Sequence, residues 1–300
     1  MKNNTITEYF MDVETTKEYN GYFCSMAEAI TVVILGCISG LKNVSQIHQW
    51  ATDERVSGFL KEKFGIEDAP CYYWMLCLLK LVEPVSLNRC FHEWVKSMIP
   101  ESMDGMIVSL DGKTIRSTEK MESYENPLHI VSAQVSELGM IFARKSVEGK
   151  SNEIPAVRKL LKELEISGCI IIADALNCQK DTAKAVISQG ADYVGDAVLR
   201  GKMDKASRTE KNRDRIEKRS AFVTKEIGWL AGREEWDGLA REDYCRVEDR
   251  NVQQNLNMLR KAALNLIKRY KERAGSKKAM SKIMFDCLLN PYFISEILEN

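Results

Sequence analysis

The chain has 300 residues, 45% of them hydrophobic and 29% charged, with 43 basic residues against 43 acidic ones. Those proportions suit about two globular domains of roughly 150 residues each and exclude a disordered or fibrous chain. The zero net charge carries no information about partners, and the longest apolar stretch, Ile30 to Ile38, is far too short to span a bilayer.

The first hundred residues read as helices. Met26 to Leu41 is apolar and ends at Gly40, and Val44 to Trp50 continues in helical rhythm. Tyr72 to Val82 is another apolar run, stopped by Pro84. Leu87 to Ile99 is amphipathic, with Leu87, Cys90, Phe91, Trp94, Val95 and Met98 along one side, and Pro100 closes it. Residues 1–100 are expected to form a small helical domain. Tyr72, Tyr73, Trp74 and Trp94 have rings that stack on bases in other settings, but aromatic residues at helical spacing are usually core, and core is the expectation here.

Beyond Pro100 the rhythm changes. Met106 to Leu110, His129 to Ser136 and Met140 to Ser146 read as strands, the last two joined by a turn at Glu137-Leu138-Gly139. Asn152 to Leu164 is a helix, Cys169 to Ala173 a strand, Gln179 to Ser188 a helix ended by Gly190, and Ala191 to Val198 a strand. The order β-β-β-α-β-α-β is that of a ribonuclease-H-like α/β mixed sheet, whose first strand lies beside the fourth. Asp111 ends or nearly ends the first strand and Asp174 ends the fourth. Their carboxylates would converge at the carboxyl edge of adjacent strands. Each aspartate is either a cap for the following turn or half of a divalent-metal site.

Past Gly201, Ser220 to Glu226 reads as a strand and Trp229 to Trp236 as a turn. Asn251 to Lys271 is one long C-terminal helix capped by Asp249 or Asn251. Residues 101–300 make up the second domain. Two basic blocks stand out. Arg200 to Arg219 holds nine basic residues and four acids, and Met258 to Lys282 holds nine against Glu272 alone. Such blocks suit a phosphate backbone, although for either one alone a solvated helix face is the simpler reading. The nine cysteines include no C-x-x-C pair, and residues 1–9 form no apolar leader, which reads as reduced thiols in the cytosol.

Six motifs, in order, resemble one family. Leu110-Asp111-Gly112-Lys113-Thr114-Ile115-Arg116 resembles the D-G-K-x-x-R of the ISAs family of DDE insertion-sequence transposases, kin of the H-repeat-associated proteins. Leu128-His129-Ile130-Val131-Ser132-Ala133 is similar to its L-H-x-V-S-A, and Lys150-Ser151-Asn152-Glu153-Ile154 to its K-S-N-E-I. Asp174-Ala175 with Cys178-Gln179-Lys180, then Ala191-Asp192-Tyr193-Val194, then Arg215-Ile216-Glu217-Lys218-Arg219 follow in register. The resemblance implies a DNA transposase that cleaves and joins phosphodiesters with Mg²⁺ (or Mn²⁺). It makes Asp111 and Asp174 catalytic metal ligands. Lys113, Arg116, Lys150, Lys180, Arg215 and Arg219 would hold the phosphates of double-stranded DNA at the element ends. The implied partners include a homo-oligomer or a full-length transposase, with no membrane, in a cytoplasmic, nucleoid-associated setting. Glu153 would either act near the site or simply favour the first turn of its helix, and the second is the simpler reading.

One departure matters. The family's third acid sits in a motif of the form H-W-x-I-E-N-x-L-H-W. This chain's histidines are His48, His92 and His129, and no tryptophan follows Trp236, so the motif is absent. The expectation is an internally shortened copy with gaps near Ala240 and after Lys202, impaired in catalysis. The alternative is a catalytically inactive DNA-binding or partner-binding relic. Glu242, Glu248 and Asp196 are the residues weighed as stand-ins for the missing acid.

Overall fold

The computed structural model describes residues 6–18, 24–99, 102–114, 128–135, 138, 140–148, 153–173, 180–193, 204–212, 215–223 and 249–299. The first hundred residues form α1 (Met26–Ile38), α2 (Val44–Ala51), α3 (Glu54–Phe64), α4 (Tyr72–Leu81) and α5 (Pro84–Lys96). Their starts follow local chemistry. At α1 the Ser25 hydroxyl accepts from the Glu28 N–H at 3.2 Å while Glu28 Oε2 accepts from the Ser25 N–H at 2.5 Å, a reciprocal capping box. Pro84, read from sequence as a stop, is also the first residue of α5, where its missing N–H costs nothing. Helix α3 went unread because charges dilute its rhythm, yet Val56, Phe59 and Leu60 recur at three and four and are buried.

The core expectation for the aromatic residues holds only for Trp94, which is buried. Tyr72, Tyr73 and Trp74 are exposed, Tyr73 by 71%. Three consecutive residues in one helical turn cannot share a face. Helix α4 turns Met75, Leu78 and Leu79 inward instead.

The sheet strands are β1 (Ile107–Thr114), β2 (Leu128–Val135), β3 (Met140–Glu148), β4 (Ile170–Ala173) and β5 (Asp192–Tyr193). Helix α6 (Glu153–Glu163) precedes β4 and α7 (Lys180–Ile187) follows it. The spatial order is β3-β2-β1-β4-β5, with β1 antiparallel to β2 and parallel to β4. This is the ribonuclease-H-like α/β arrangement expected, with the first strand beside the fourth. The turn at Glu137 and Gly139 lies outside the described residues.

Strand β1 runs past its apolar stretch, however. Pairing with β2 continues to Thr114↔His129, so Asp111 lies within the strand rather than at its end. The ladder, not burial, carries Asp111 to Thr114. A reading by hydrophobicity stops where the apolar residues stop.

Strands β6 (Asp204–Asn212) and β7 (Arg215–Val223) form a separate antiparallel hairpin. The first basic block therefore lies mostly in strands, which corrects the helix-face reading. Charge alone does not report secondary structure, and the helical reading had no apolar stripe beneath it.

Helix α8 (Arg250–Arg273) is followed by α9 (Met280–Leu289) and α10 (Phe293–Leu298). Asp249 caps α8 by accepting from the Val252 N–H at 3.1 Å. The helix packs on α1, α4 and α5 and on the edge strand β3, so it is buried on nearly every side from Val252 to Ile267 rather than along one stripe. Two of its buried amides, Asn255 and Asn265, reach backbone groups of neighbouring elements. Asn255 Nδ2 donates to the carbonyls of Leu79 and Val82 at 2.8 and 3.0 Å. Asn265 accepts from the Ile141 N–H and donates to the Ile141 carbonyl, both at 3.1 Å, and so caps the free edge of β3. The second basic block is not a continuous solvated face either. Arg260 and Lys261 are buried, and Arg260 donates to the Lys42 carbonyl. Among the described residues no helix is long and apolar enough to cross a membrane.

Candidate active site

Strand β1 emerges from the core at one position. Val108, Ser109 and Leu110 are buried, Asp111 is exposed, and Gly112 to Thr114 are half-buried. The strand is central in its sheet, between β2 and β4. On one side Asp111 pairs with Ser132 of β2. On the other, the last described parallel pair is Leu110↔Ala173, one residue before Asp111 on β1 and one before Asp174 in the sequence. Asp174 itself lies outside the described residues.

The predicted cations distribute unevenly. Lys113 is half-buried two residues beyond Asp111, on the same face of the strand by alternation. Arg116 and Lys150 lie outside the described residues. The backbone of Lys180 opens α7, and Arg215 and Arg219 lie on β7, where Arg219 is paired with Arg208. The weighed stand-ins Asp196, Glu242 and Glu248 also lie outside the described residues. Among the described residues no group of three histidine, cysteine or acidic side chains has a metal-binding arrangement.

Behind Asp111 lies a constellation that sequence reading did not assemble. Glu153, in the first turn of α6, points inward and is only 2% exposed. Its Oε2 stands 2.8 Å from Nε2 of His129 on β2, whose ring is 1% exposed. The contact has the geometry of an ion pair rather than of an aligned hydrogen bond. On the other side of the ring, Nδ1 lies 2.9 Å from Thr114 Oγ1 on β1. With the ring proton on Nε2, facing the carboxylate, Nδ1 accepts from the threonine hydroxyl; with a proton on Nδ1 the ring donates to that oxygen instead.

The Glu153 carboxylate lies directly over Gly112. A Cβ at that glycine would stand 2.5 Å from Glu153 Cδ and 2.6 and 2.7 Å from its two oxygens. A side chain at position 112 would therefore force Glu153 or the strand to shift, a constraint of space and not of backbone conformation. The sequence contained a signal for this: a histidine alternating with apolar residues on an inner strand needs a buried partner.

Other titratable groups follow burial. Desolvation pushes the Cys24 and Cys287 thiols up to about 12 and Cys37 to about 11, so these cysteines are inert core residues. None of the seven described cysteines is in a disulfide.

No model of a known protein family matches the chain. It is 29% identical over 170 residues to the H repeat-associated putative transposase YhhI of Escherichia coli, covering 56% of this chain and 44% of that protein. It is 35% identical over 113 residues to the putative transposase YncI of Escherichia coli, covering 38% of this chain and 45% of that one. The chain thus spans less than half the length of these curated relatives. Among solved structures it resembles a piggyBac transposase synaptic complex with hairpin DNA, with TM-score 0.51 at 10% identity, covering 98% of this chain and 83% of that one. That likeness concerns the fold. The resemblance expected from the sequence is borne out at that level: the chain is similar to several H repeat-associated putative transposases.

Proposed function

We propose that the chain is a transposase-type protein that binds double-stranded DNA through phosphate contacts and holds a divalent cation between Asp111 and Asp174. The observation that carries this reading is the parallel register of β1 and β4, which runs to Leu110↔Ala173, one residue short of each aspartate. Asp111 is an exposed oxygen donor on a central strand, the hard ligand that Mg²⁺ or Mn²⁺ takes. The ion would supply charge stabilisation to an attacked phosphate and an activated oxygen nucleophile. Lys113, Arg116, Lys150, Lys180, Arg215 and Arg219 hold the phosphate backbone in this reading and carry no sequence information.

The third acid expected of the family is missing from the sequence. Mg²⁺ gives up water reluctantly, so a site with two carboxylates is weak, and strand cleavage and joining are impaired. The relatives' names and the fold likeness to a transposase–DNA complex support DNA as the partner.

The test is titration of labelled duplex bearing the element ends, at about 50 and about 200 mM salt, followed by a cleavage assay with Mg²⁺ and Mn²⁺. Six phosphate contacts predict a loss of roughly 10³-fold in affinity between those salts. Salt-independent binding, or none at low salt, contradicts the reading. Efficient cleavage that Asp111→Ala abolishes would contradict the impairment and require another carboxylate.

A further inference from the structure

A buried carboxylate beside a buried imidazole is a costly arrangement, and a well-packed apolar cluster of the same volume is often as stable or more so. Glu153 and His129 nevertheless occupy the space between α6 and the sheet, 2% and 1% exposed. Their position accounts for it. The segment from Asp111 to Thr114 has left the core and is not fixed by burial. It is held from behind at two points. The Glu153 carboxylate lies against Gly112, and Thr114 Oγ1 meets His129 Nδ1 at 2.9 Å. Three elements are tied at the level of Asp111: α6 through Glu153, β2 through His129, and β1 through Gly112 and Thr114.

These groups are not ligands in waiting. Residues alternate along a strand, so Asp111 faces the side of the sheet opposite Gly112 and Glu153. No metal-binding group of three forms among the described residues. The N-terminus of α6 favours the negative charge that Glu153 places there.

We propose that Glu153, His129 and Thr114 form a buried positioning chain that sets the Asp111 segment of β1 for metal binding; this rests on the reading of Asp111 as a metal ligand. Groups behind a ligand fix its direction, and their loss typically weakens metal binding by roughly 10- to 100-fold.

The experiment uses the full chain and Mn²⁺ alone, with free Mn²⁺ measured by electron paramagnetic resonance, alongside amide exchange of residues 107–114. Glu153→Gln keeps the shape and removes the charge. Thr114→Val removes only the hydroxyl and serves if the first variant does not fold. Leu161→Ala, in the buried face of α6 away from the chain, controls for lost stability. The expected result is Mn²⁺ binding weakened by roughly 10- to 100-fold in Glu153→Gln and measurably in Thr114→Val, with faster exchange in 107–114. Leu161→Ala should melt earlier with Mn²⁺ affinity unchanged. Wild-type affinity in both test variants overturns the proposal and leaves the reading of Asp111 standing. Equal weakening in Leu161→Ala also overturns it, since the effect is then general destabilisation. If the unsubstituted chain binds no Mn²⁺, or Asp111→Asn binds it equally well, the reading of Asp111 fails and the proposal falls with it.

Discussion

Gly112→Ala adds one methyl group where the structure has no room for it. The new Cβ would stand 2.5 Å from Glu153 Cδ, well inside van der Waals contact, with the carboxylate oxygens at 2.6 and 2.7 Å. Either the strand shifts or Glu153 does. Overpacking that the surroundings absorb costs about 1–3 kcal/mol. Displacing Glu153 from His129 instead strands a buried charge, at about 3–5 kcal/mol. A loss of 1 kcal/mol lowers the melting midpoint by about 2–4 °C in domains of this size, so calorimetry should show a fall of roughly 2–12 °C if the surroundings absorb the methyl and roughly 6–20 °C if Glu153 is displaced. Gly58→Ala is the matched control. Gly58 lies inside α3 with nothing within 4 Å of the place its Cβ would take, so alanine should stabilise by about 0.5–1 kcal/mol through helix propensity. A midpoint for Gly112→Ala equal to or above wild type would refute the close packing of Glu153 on β1.

Trp94→Ala should cost about 3–5 kcal/mol in denaturant unfolding, whereas Tyr73→Ala, on the exposed first turn of α4, should stay within about 0.5 kcal/mol. Equal costs would place Tyr73 in the core. Asn265→Leu should destabilise by about 1–3 kcal/mol for each Ile141 group left unpaired, and a neutral result would mean that the β3 edge is satisfied otherwise. The buried thiols set an alkaline limit. Their folded pKa values lie above the unfolded value of about 9, so they contribute stability below pH 9 that is lost as pH rises toward 11–12. The melting midpoint should therefore fall between pH 8.5 and pH 10.5 (roughly the onset of thiol ionisation in the unfolded chain), and less so when Cys24 and Cys287 are replaced by alanine.

Much of the fold was legible because periodicity reports burial. Helices α1, α2, α4 and α5 follow from apolar spacing, and the strand order around β1 from the order of the elements and right-handed crossovers. What was missed has physical causes. The far end of β1 is held by ladder bonds rather than by an apolar stripe, and the stripe of α3 (Val56, Phe59, Leu60) is diluted by charges. The all-round burial of α8 depends on what packs against it, which no residue of α8 encodes by itself. Asp111 was legible as a lone acid ending an apolar run, and its motif matched the family. Glu153 was read as a helix-start acid because sequence cannot show which way a first-turn carboxylate points. Only the pairing of β1 with β2 brings Thr114 beside His129, and only α6 folding back brings Glu153 to both.

The most direct measurement is Mn²⁺ binding by the purified chain beside Asp111→Asn and Asp174→Asn. The account predicts one weak site in the unsubstituted chain, lost in each variant alone, since both carboxylates hold the same ion. Binding that survives either substitution, or a chain that takes up no Mn²⁺ at all, would contradict it.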